Sequence, residues 1–409
     1  MPHPSESIVG EYSSSLKGRC VALGVTGSVA AYKSIDTARW LLRRGARVRI
    51  VLTEPAAQFV TPALWHWAVG VEPVVSLSGE VEHIVLASEC DSMLVAPATL
   101  SSISKIAYGI ADNPVVLTAI AMRAEGKPVI AVPSMHGNMY ESLQFKQAIA
   151  ALTRLGYIVV PPRLEGGVAK YPDPLLLARL TSSVTRRGRD LEGRRILVTA
   201  GPTREWIDPV RFISNPSSGR MGIEIAVEAY ARGAEVVLVH GPTSLEVPYF
   251  IESYRVDTTE EMAEVVERLT GEKLFDAFIA AAAPADYRPA RRSESKIRSG
   301  LEFSVELKPT PKVVESIVKR PRVLVIFAAE TVGSIEELKP LARAKLEKYG
   351  ADIVVANIVG RKGLGFSADR ESGVILSSDG YESTFDSLLK EDLAGLILDL
   401  VSKKLSGGV

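Results

Sequence analysis

Short apolar runs that end at a glycine, a proline or a hydroxyl residue and lead into a helical pattern constrain this chain more than any other feature. Residues 19–25 form such a run and stop at Thr26-Gly27-Ser28. A helix pattern follows through Ala30-Ala31-Tyr32 to Arg43-Arg44, with Gly45 as its stop. Residues 46–52, 92–96 before Pro97, and 127–132 before Pro133 repeat the scheme. Strands this apolar, separated by helices, belong to a mostly parallel sheet covered on both faces. The pattern breaks at Pro161-Pro162, Gly166-Gly167 and Pro172. It passes a helix at 175–184 and the charged stretch Arg186-Arg187-Gly188-Arg189-Asp190, then restarts at 195–199, which ends at Gly201-Pro202-Thr203. A helix signal begins at Gly219, and 234–239, 275–280, 322–328 and 352–356 are further strands. The expected fold class is α/β, with two doubly wound Rossmann-like domains, 1–188 and 189–409, and no repeat in the sequence itself.

A chain of 409 residues suits two domains. Its 48 Lys and Arg balance 48 Asp and Glu, so no basic excess points to nucleic acid, and no nucleic-acid partner is expected. No apolar run reaches the roughly 18 residues of a membrane helix. Residues 1–15 are polar, lack a signal core and read as a frayed tail, which makes the chain cytoplasmic in expectation. The two cysteines, Cys20 and Cys90, cannot make a disulfide framework or a four-thiolate zinc site. Both lie in apolar surroundings and read as buried, reduced thiols.

In an open parallel sheet, ligands bind at the carboxyl ends of strands. The turn Gly24-Val25-Thr26-Gly27-Ser28-Val29-Ala30 sits at such an end. It is either a tight turn or a place where backbone and the Ser28 hydroxyl approach phosphate. Ala96-Pro97-Ala98-Thr99 repeats the geometry, followed by Lys105 and by Asp112-Asn113; Lys105 could equally belong to a solvated helix face. His83 is either structural or a neutral-pH base. In Pro133-Ser134-Met135-His136-Gly137-Asn138-Met139, the histidine and asparagine are hard to explain as core. A nicotinamide dehydrogenase would need spaced glycines and an acid after the second strand; Glu54 follows Thr53, but the glycine fingerprint is incomplete.

In the second half, Thr199-Ala200-Gly201-Pro202-Thr203-Arg204-Glu205 follows the new first strand. The loop from Asp208 through Arg211 and Asn215-Pro216-Ser217-Ser218-Gly219-Arg220 leads into a helix, which is how phosphate is usually cradled. Arg204, Arg211 and Arg220 would crowd positive charge wastefully without an anion. Ala282-Ala283-Pro284-Ala285-Asp286-Tyr287 closes another strand, where small residues let something flat pack on the backbone. Lys296 lies in a polar, mobile-looking run; Lys308 to Lys312 opens a helix; Phe327 could stack on a base.

These motifs carry two resemblances. Gly27-Ser28-Val29-Ala30, His83, Ala96-Pro97-Ala98-Thr99 and the 133–139 segment, in that order, resemble the flavin-dependent cysteine decarboxylases over about 18–175. The resemblance implies a flavodoxin-like flavoprotein domain that binds FMN through Gly27, Ser28, Ala30, Thr53, Pro97, Ala98, Thr99 and Lys105. It also implies His83 as base and a substrate site of Asn113, Met135 and His136. His136 stands where the family has an asparagine that clamps the substrate carboxylate. The family's bifunctional members have a cysteine in a flap after the sheet; here Gly166-Gly167-Val168-Ala169-Lys170-Tyr171 has none, so Lys170 or Tyr171 would supply the proton.

The strings Ala-Gly-Pro-Thr-Arg-Glu, Ile-Ser-Asn-Pro-Ser-Ser-Gly-Arg-Met-Gly, Ala-Asp-Tyr-Arg and Phe-Ala-Ala-Glu-Thr resemble the phosphopantothenate–cysteine ligases over about 190–405. The fusion is the arrangement of the bifunctional decarboxylase–ligase family of coenzyme A synthesis. By that resemblance, 4′-phosphopantothenate is activated by CTP as an acyl-cytidylate, cysteine's amine displaces CMP, and the product is decarboxylated with FMN. Asn215 would handle the acyl-cytidylate and Lys296 the nucleotide phosphates. Arg211, Ala282, Asp286, Pro311, Lys312, Val313, Val314, Phe327 and Lys345 would contact substrate. Lys348 would replace a family lysine found at the Tyr349 position. Mg2+ is expected with the triphosphate, its ligands unassigned. Residue types alone do not choose CTP over ATP. The resemblance also implies a homo-oligomer of dimeric ligase domains and trimeric flavin domains, hence a dodecamer. A ligase-only protein with an FMN-binding but decarboxylation-impaired first domain is the alternative.

Overall fold

In the computed structural model, which describes residues 3–300, 302–360 and 368–407, the chain forms two units, Met1–Gly188 and Arg189–Val409. In the first, β1 (Cys20–Val25), β2 (Arg47–Leu52), β3 (Ser92–Ala98), β4 (Val129–Pro133) and β5 (Ile158–Val159) form one parallel sheet in the order β2-β1-β3-β4-β5. Every residue of β1, β3 and β4 is buried, because helices cover both faces; this is why those strands read as unbroken apolar runs rather than as alternation. Helix α1 (Lys33–Arg43) ends before Gly45, whose φ of +88° carries the chain out of the helix.

In the second unit, β6 (Arg195–Ala200), β7 (Glu235–His240), β8 (Glu252–Arg255), β9 (Ala277–Ala280), β10 (Val323–Glu330) and β11 (Ile353–Ile358) are parallel in the order β8-β7-β6-β9-β10-β11. This is the dinucleotide-fold order, with its switch point between β6 and β9. Two strands absent from the sequence reading, β12 (Arg370–Ser377) and β13 (Glu382–Leu389), extend it as an antiparallel edge. Arg232, only 1% exposed, anchors the start of this unit through Asp190 at 2.5 Å and Asp399 at 2.9 Å. Removing one carboxylate leaves the guanidinium paired with the other; removing both would strand a buried charge at a cost of about 3–5 kcal/mol.

Three expectations need correction. The frayed tail is ordered over its described residues: Gly10 N–H donates to Leu42 O, Tyr12 N–H to Arg43 O, and the Tyr12 ring meets Trp40 edge-on. Cys20 and Cys90 are not free thiols but are joined as a disulfide, because β1 starts beside the end of helix Glu82–Glu89, with the two Cα atoms 4.4 Å apart. Residues 308–312 do not open a helix directly. Leu307–Pro309 first pairs with Tyr287–Pro289, and a short 3-10 turn, Val313–Ser316, follows.

Candidate functional sites at two sets of strand ends

Ser28 and Thr99, at the carboxyl ends of β1 and β3, and Asn113, one helix further on, cap helix starts. Ser28 Oγ accepts from Ala30 N–H at 3.3 Å, Thr99 Oγ1 from Ser102 N–H at 3.4 Å, and Asn113 Oδ1 from Val116 N–H at 3.1 Å. Thr26 ties the two strand ends together, donating to Pro97 O at 2.8 Å and accepting from Thr99 N–H at 3.0 Å. Gly27 must be glycine because a Cβ there would lie 2.5 Å from Pro55 Cβ. These ends open onto a cavity of about 1250 Å³.

The structure brings Gly27, Ser28, Ala30, Thr53, Thr99, Lys105, Asn113, Met135, His136 and Lys170 to the wall of this cavity. Pro97 and Ala98 are not in its lining; Ala98 is wholly buried. His83 lies in the first turn of Glu82–Glu89, outside the wall, and its Nδ1 is buried without a hydrogen-bond partner. Lys105 pairs with Asp112 at 2.6 Å, a hydrogen bond that lowers the carboxyl pKa. The flap residues Arg163–Glu165 and Val168–Lys170 form a hairpin that pairs with Met135–His136, so the flap and the 133–139 segment make one wall. Lys170 stands at its edge, 3.1 Å from Glu165. Tyr171 is no ready proton donor: its hydroxyl meets Thr37 at 2.7 Å and burial pushes it up to about 12.

The cavity wall has two unmet needs. The side-chain oxygens of Thr53 and Ser134 are shut off from solvent and have no partner, although both residues line the cavity. An unpartnered buried hydroxyl is costly and calls for an explanation. A ligand rich in hydroxyl and phosphate groups, as FMN is, fits a cavity of this size walled by capped helix starts and orphaned hydroxyls. Ser134 was missed as a site residue even though its segment was recognised, because nothing in the sequence distinguishes a satisfied serine from an orphaned one.

In the second unit, Gly222 lets helix α2 (Arg220–Ala231) press on the end of β6, since a Cβ would lie 2.5 Å from that of Ala200. The Ser217 and Ser218 hydroxyls accept from Gly219 and Arg220 N–H at 3.3 and 3.4 Å, shaping the helix entrance. Asn215 spans to the end of β9: its Nδ2 donates to Ala283 O at 3.1 Å and Pro284 O at 2.9 Å. Both neighbours are acceptors, so the amide orientation is fixed and Oδ1 is the atom left for a ligand. Ala282 N–H donates to Thr199 Oγ1 at 3.3 Å. Ala285 is held by Thr203 through its N–H and by Thr259 and Thr310 through its carbonyl. This hydroxyl scaffold fixes the backbone that presents Asp286.

Asp286 pairs with Lys312 at 2.6 Å, and that hydrogen bond raises the lysine's pKa above its ordinary value. Lys345 pairs with Glu330, the last residue of β10, at 2.7 Å; Phe327 is half-buried in the same strand. Lys348 lies over the Tyr349 ring. Pro311 is exposed, Val313 buried and Val314 packed on the core. Lys296 is exposed and has no ion-pair partner among the described residues. Arg211 is already engaged, with Asp208 at 2.8 Å and Ile297 O at 3.0 Å. A second cavity, about 600 Å³, is lined by Asn215, Ser217, Arg204 and Arg255. Among the described residues no group of three or more His, Cys, Asp or Glu could hold a metal, and no helix is long and apolar enough to cross a membrane.

These two sites define a flavoprotein followed by a second nucleotide-fold domain. Residues 9–183 match the family model described as Flavoprotein, and 191–405 match that of the DNA/pantothenate metabolism flavoprotein C-terminal domain. The chain is 38% identical over 414 residues to the coenzyme A biosynthesis bifunctional protein CoaBC of Thermococcus kodakarensis, covering 99% of this chain and 100% of that protein. It is 36% identical over 412 residues to that of Mycobacterium tuberculosis, covering 95% and 97%. Among solved structures, the C-terminal domain of a CoaBC is 35% identical, covers 54% of this chain and 99% of that one, and gives a TM-score of 0.45. The chain belongs to the family of coenzyme A biosynthesis bifunctional proteins, CoaBC.

Proposed function

We propose that the chain performs two consecutive steps of coenzyme A synthesis. It joins cysteine to 4′-phosphopantothenate with CTP, then decarboxylates 4′-phosphopantothenoylcysteine to 4′-phosphopantetheine with FMN. The observation that carries this reading is the pairing, in one chain, of a flavin-sized cavity with orphaned hydroxyls and an Asn215-centred loop at a second set of strand ends.

In the ligase half a free carboxylate is a poor electrophile, and a phosphate leaving group cures that. Attack of the carboxylate on the α-phosphorus of CTP releases pyrophosphate; cysteine's amine then attacks the acyl carbon and CMP leaves. Lys296 meets the phosphates and offsets charge that builds on the α-phosphate and the departing pyrophosphate. Asp286, Lys312, Phe327 and Lys345 take the nucleotide, with Lys348 beside them; Pro311, Val313 and Val314 shape that side of the site, and Ala282 packs against the substrate. Asn215 Oδ1, free while the amide nitrogen is committed, accepts from the incoming amine. Magnesium enters with the nucleotide, whose charge it neutralises.

In the first half, Gly27, Ser28, Ala30, Thr53, Thr99 and Lys105 hold FMN, with Ser134 as an added donor, and Pro97 and Ala98 support the turn. When bound, FMN would take and later return a hydride, oxidising the substrate thiol so that its sulfur becomes the electron sink that loss of CO2 requires. His136 and Asn113 bind the substrate carboxylate beside Met135, and Lys170 returns the proton at the flap. His83 acts as base from a surface rich in exposed apolar residues, among them Val81, Ile84 and Val85, which suits completion of the site by a neighbouring copy in a homo-oligomer. The chain would work in the cytoplasm.

The halves separate experimentally. Protein given CTP, Mg2+ and 4′-phosphopantothenate without cysteine should release pyrophosphate, and purified 4′-phosphopantothenoylcysteine should yield CO2 without nucleotide. Absence of the first product sinks the ligase reading, and absence of the second sinks the decarboxylase reading.

A further inference from the structure

The Asp208 carboxylate is wholly buried, and its two oxygens serve different partners. Oδ1 caps its own turn, accepting from Val210 N–H at 2.7 Å and Arg211 N–H at 2.8 Å. Oδ2 reaches out of the turn, accepting from Arg211 Nη1 at 2.8 Å and from Ile297 N–H at 3.2 Å. The same Arg211 Nη1 donates to Ile297 O at 3.0 Å. Both polar backbone groups of the residue after Lys296 are thus held by one buried ion pair. Just before Lys296, Ser293 N–H donates to Ile207 O at 2.9 Å, and the Arg292 guanidinium lies 5.9 Å from the centre of the Trp206 ring. The polar run around Lys296 is pinned on both sides of the lysine to the loop that continues into Asn215 and the Ser217-Ser218-Gly219 turn.

We infer that Asp208, acting with Arg211, is a positioning residue that sets the backbone of Lys296 and so delivers its ammonium to the nucleotide phosphates. This rests on the reading of Lys296 given above. Backbone held at one residue limits where the next side chain can reach, and small misplacement of a charge that stabilises a transition state is costly in rate. N–H donations from Val210, Arg211 and Ile297 keep the Asp208 carboxyl at about 2 against the opposing pull of burial, so the clamp is ionised at any physiological pH.

The two-sided use of the carboxylate gives a selective test. In Asp208→Asn, the amide oxygen can keep the Oδ1 bonds to Val210 and Arg211. The amide nitrogen then faces the Ile297 N–H and the Arg211 guanidinium as donor against donor. Pyrophosphate release from CTP and 4′-phosphopantothenate is measured in the full chain for D208N, K296Q and the double variant, with trypsin cleavage around residues 292–298 as the structural readout. The expected result is a kcat loss of at least roughly tenfold in D208N, with little change in the KM for phosphopantothenate. Tryptic cleavage should quicken at that loop alone, and the double variant should be no slower than K296Q. If K296Q is slow while D208N matches the native protein, or if the two losses multiply, the positioning role is overturned and the Lys296 reading stands. A native rate in K296Q overturns both. Should D208N fail to fold, Arg211→Met removes the Nη1 donor shared by Asp208 Oδ2 and Ile297 O and must give the same kcat loss and non-additivity.

Discussion

Thr53 offers a test in which the two effects of one substitution have opposite signs. Its hydroxyl is buried and finds no hydrogen-bond partner within the protein, and such a group costs about 1–3 kcal/mol. Valine has the same shape without the oxygen. Thr53→Val should therefore stabilise the flavin-free form by about 1 kcal/mol, a rise of roughly 2–4 °C in the melting temperature of a unit this size. The same change removes a hydrogen bond offered to FMN. At a net value of about 0.5–1.5 kcal/mol, the Kd for FMN should rise roughly twofold to thirteenfold. Thermal unfolding of deflavinated protein and quenching of flavin fluorescence on titration measure the two quantities independently, and Ser134→Ala should move both in the same directions. A lower melting temperature for the flavin-free variant would show that the hydroxyl is satisfied within the protein. An unchanged FMN affinity would show that it does not face the ligand.

Other outcomes follow from the same geometry. Asn215→Ala breaks both bonds to the end of β9 and should cut formation of 4′-phosphopantothenoylcysteine at least roughly a hundredfold while leaving CO2 release from supplied intermediate unchanged, as read by product quantitation. Lys170→Ala should do the reverse, slowing formation of 4′-phosphopantetheine from supplied intermediate and sparing ligation. Asp208 has a folded pKa of about 2, below its ordinary 3.8, so it adds stability above 3.8 that is lost as pH falls through about 2. Between pH 4 and 2 the native protein should therefore lose melting temperature more steeply than D208N, and parallel curves would refute that.

The parallel strands and the cavity at their carboxyl ends were legible because a strand buried on both faces leaves an unbroken apolar run, and the glycine or proline that ends it marks the crevice. The β12–β13 edge was not legible: Glu382–Leu389 alternates exposed and buried residues among polar ones, and its neighbour stands out only once paired. The reach of Asn215 across to Ala283 and Pro284, the docking of the flap on Met135–His136 and the hold of Asp208 on Ile297 join residues far apart in sequence, which local pattern does not encode. Lys296 looked mobile because polar composition marks exposure, and exposure is compatible with a backbone fixed at both sides. The cysteines read as separate buried thiols for a related reason: only the fold brings Cys20 to Cys90.

The central claim, that both chemistries reside in this one chain, is met most directly by incubating the pure FMN-loaded protein with 4′-phosphopantothenate, cysteine, CTP and Mg2+ and following products by mass spectrometry. The account predicts 4′-phosphopantetheine together with CMP. Accumulation of 4′-phosphopantothenoylcysteine alone would contradict the decarboxylase half, and the absence of CMP, with no AMP when ATP replaces CTP, would contradict the ligase half.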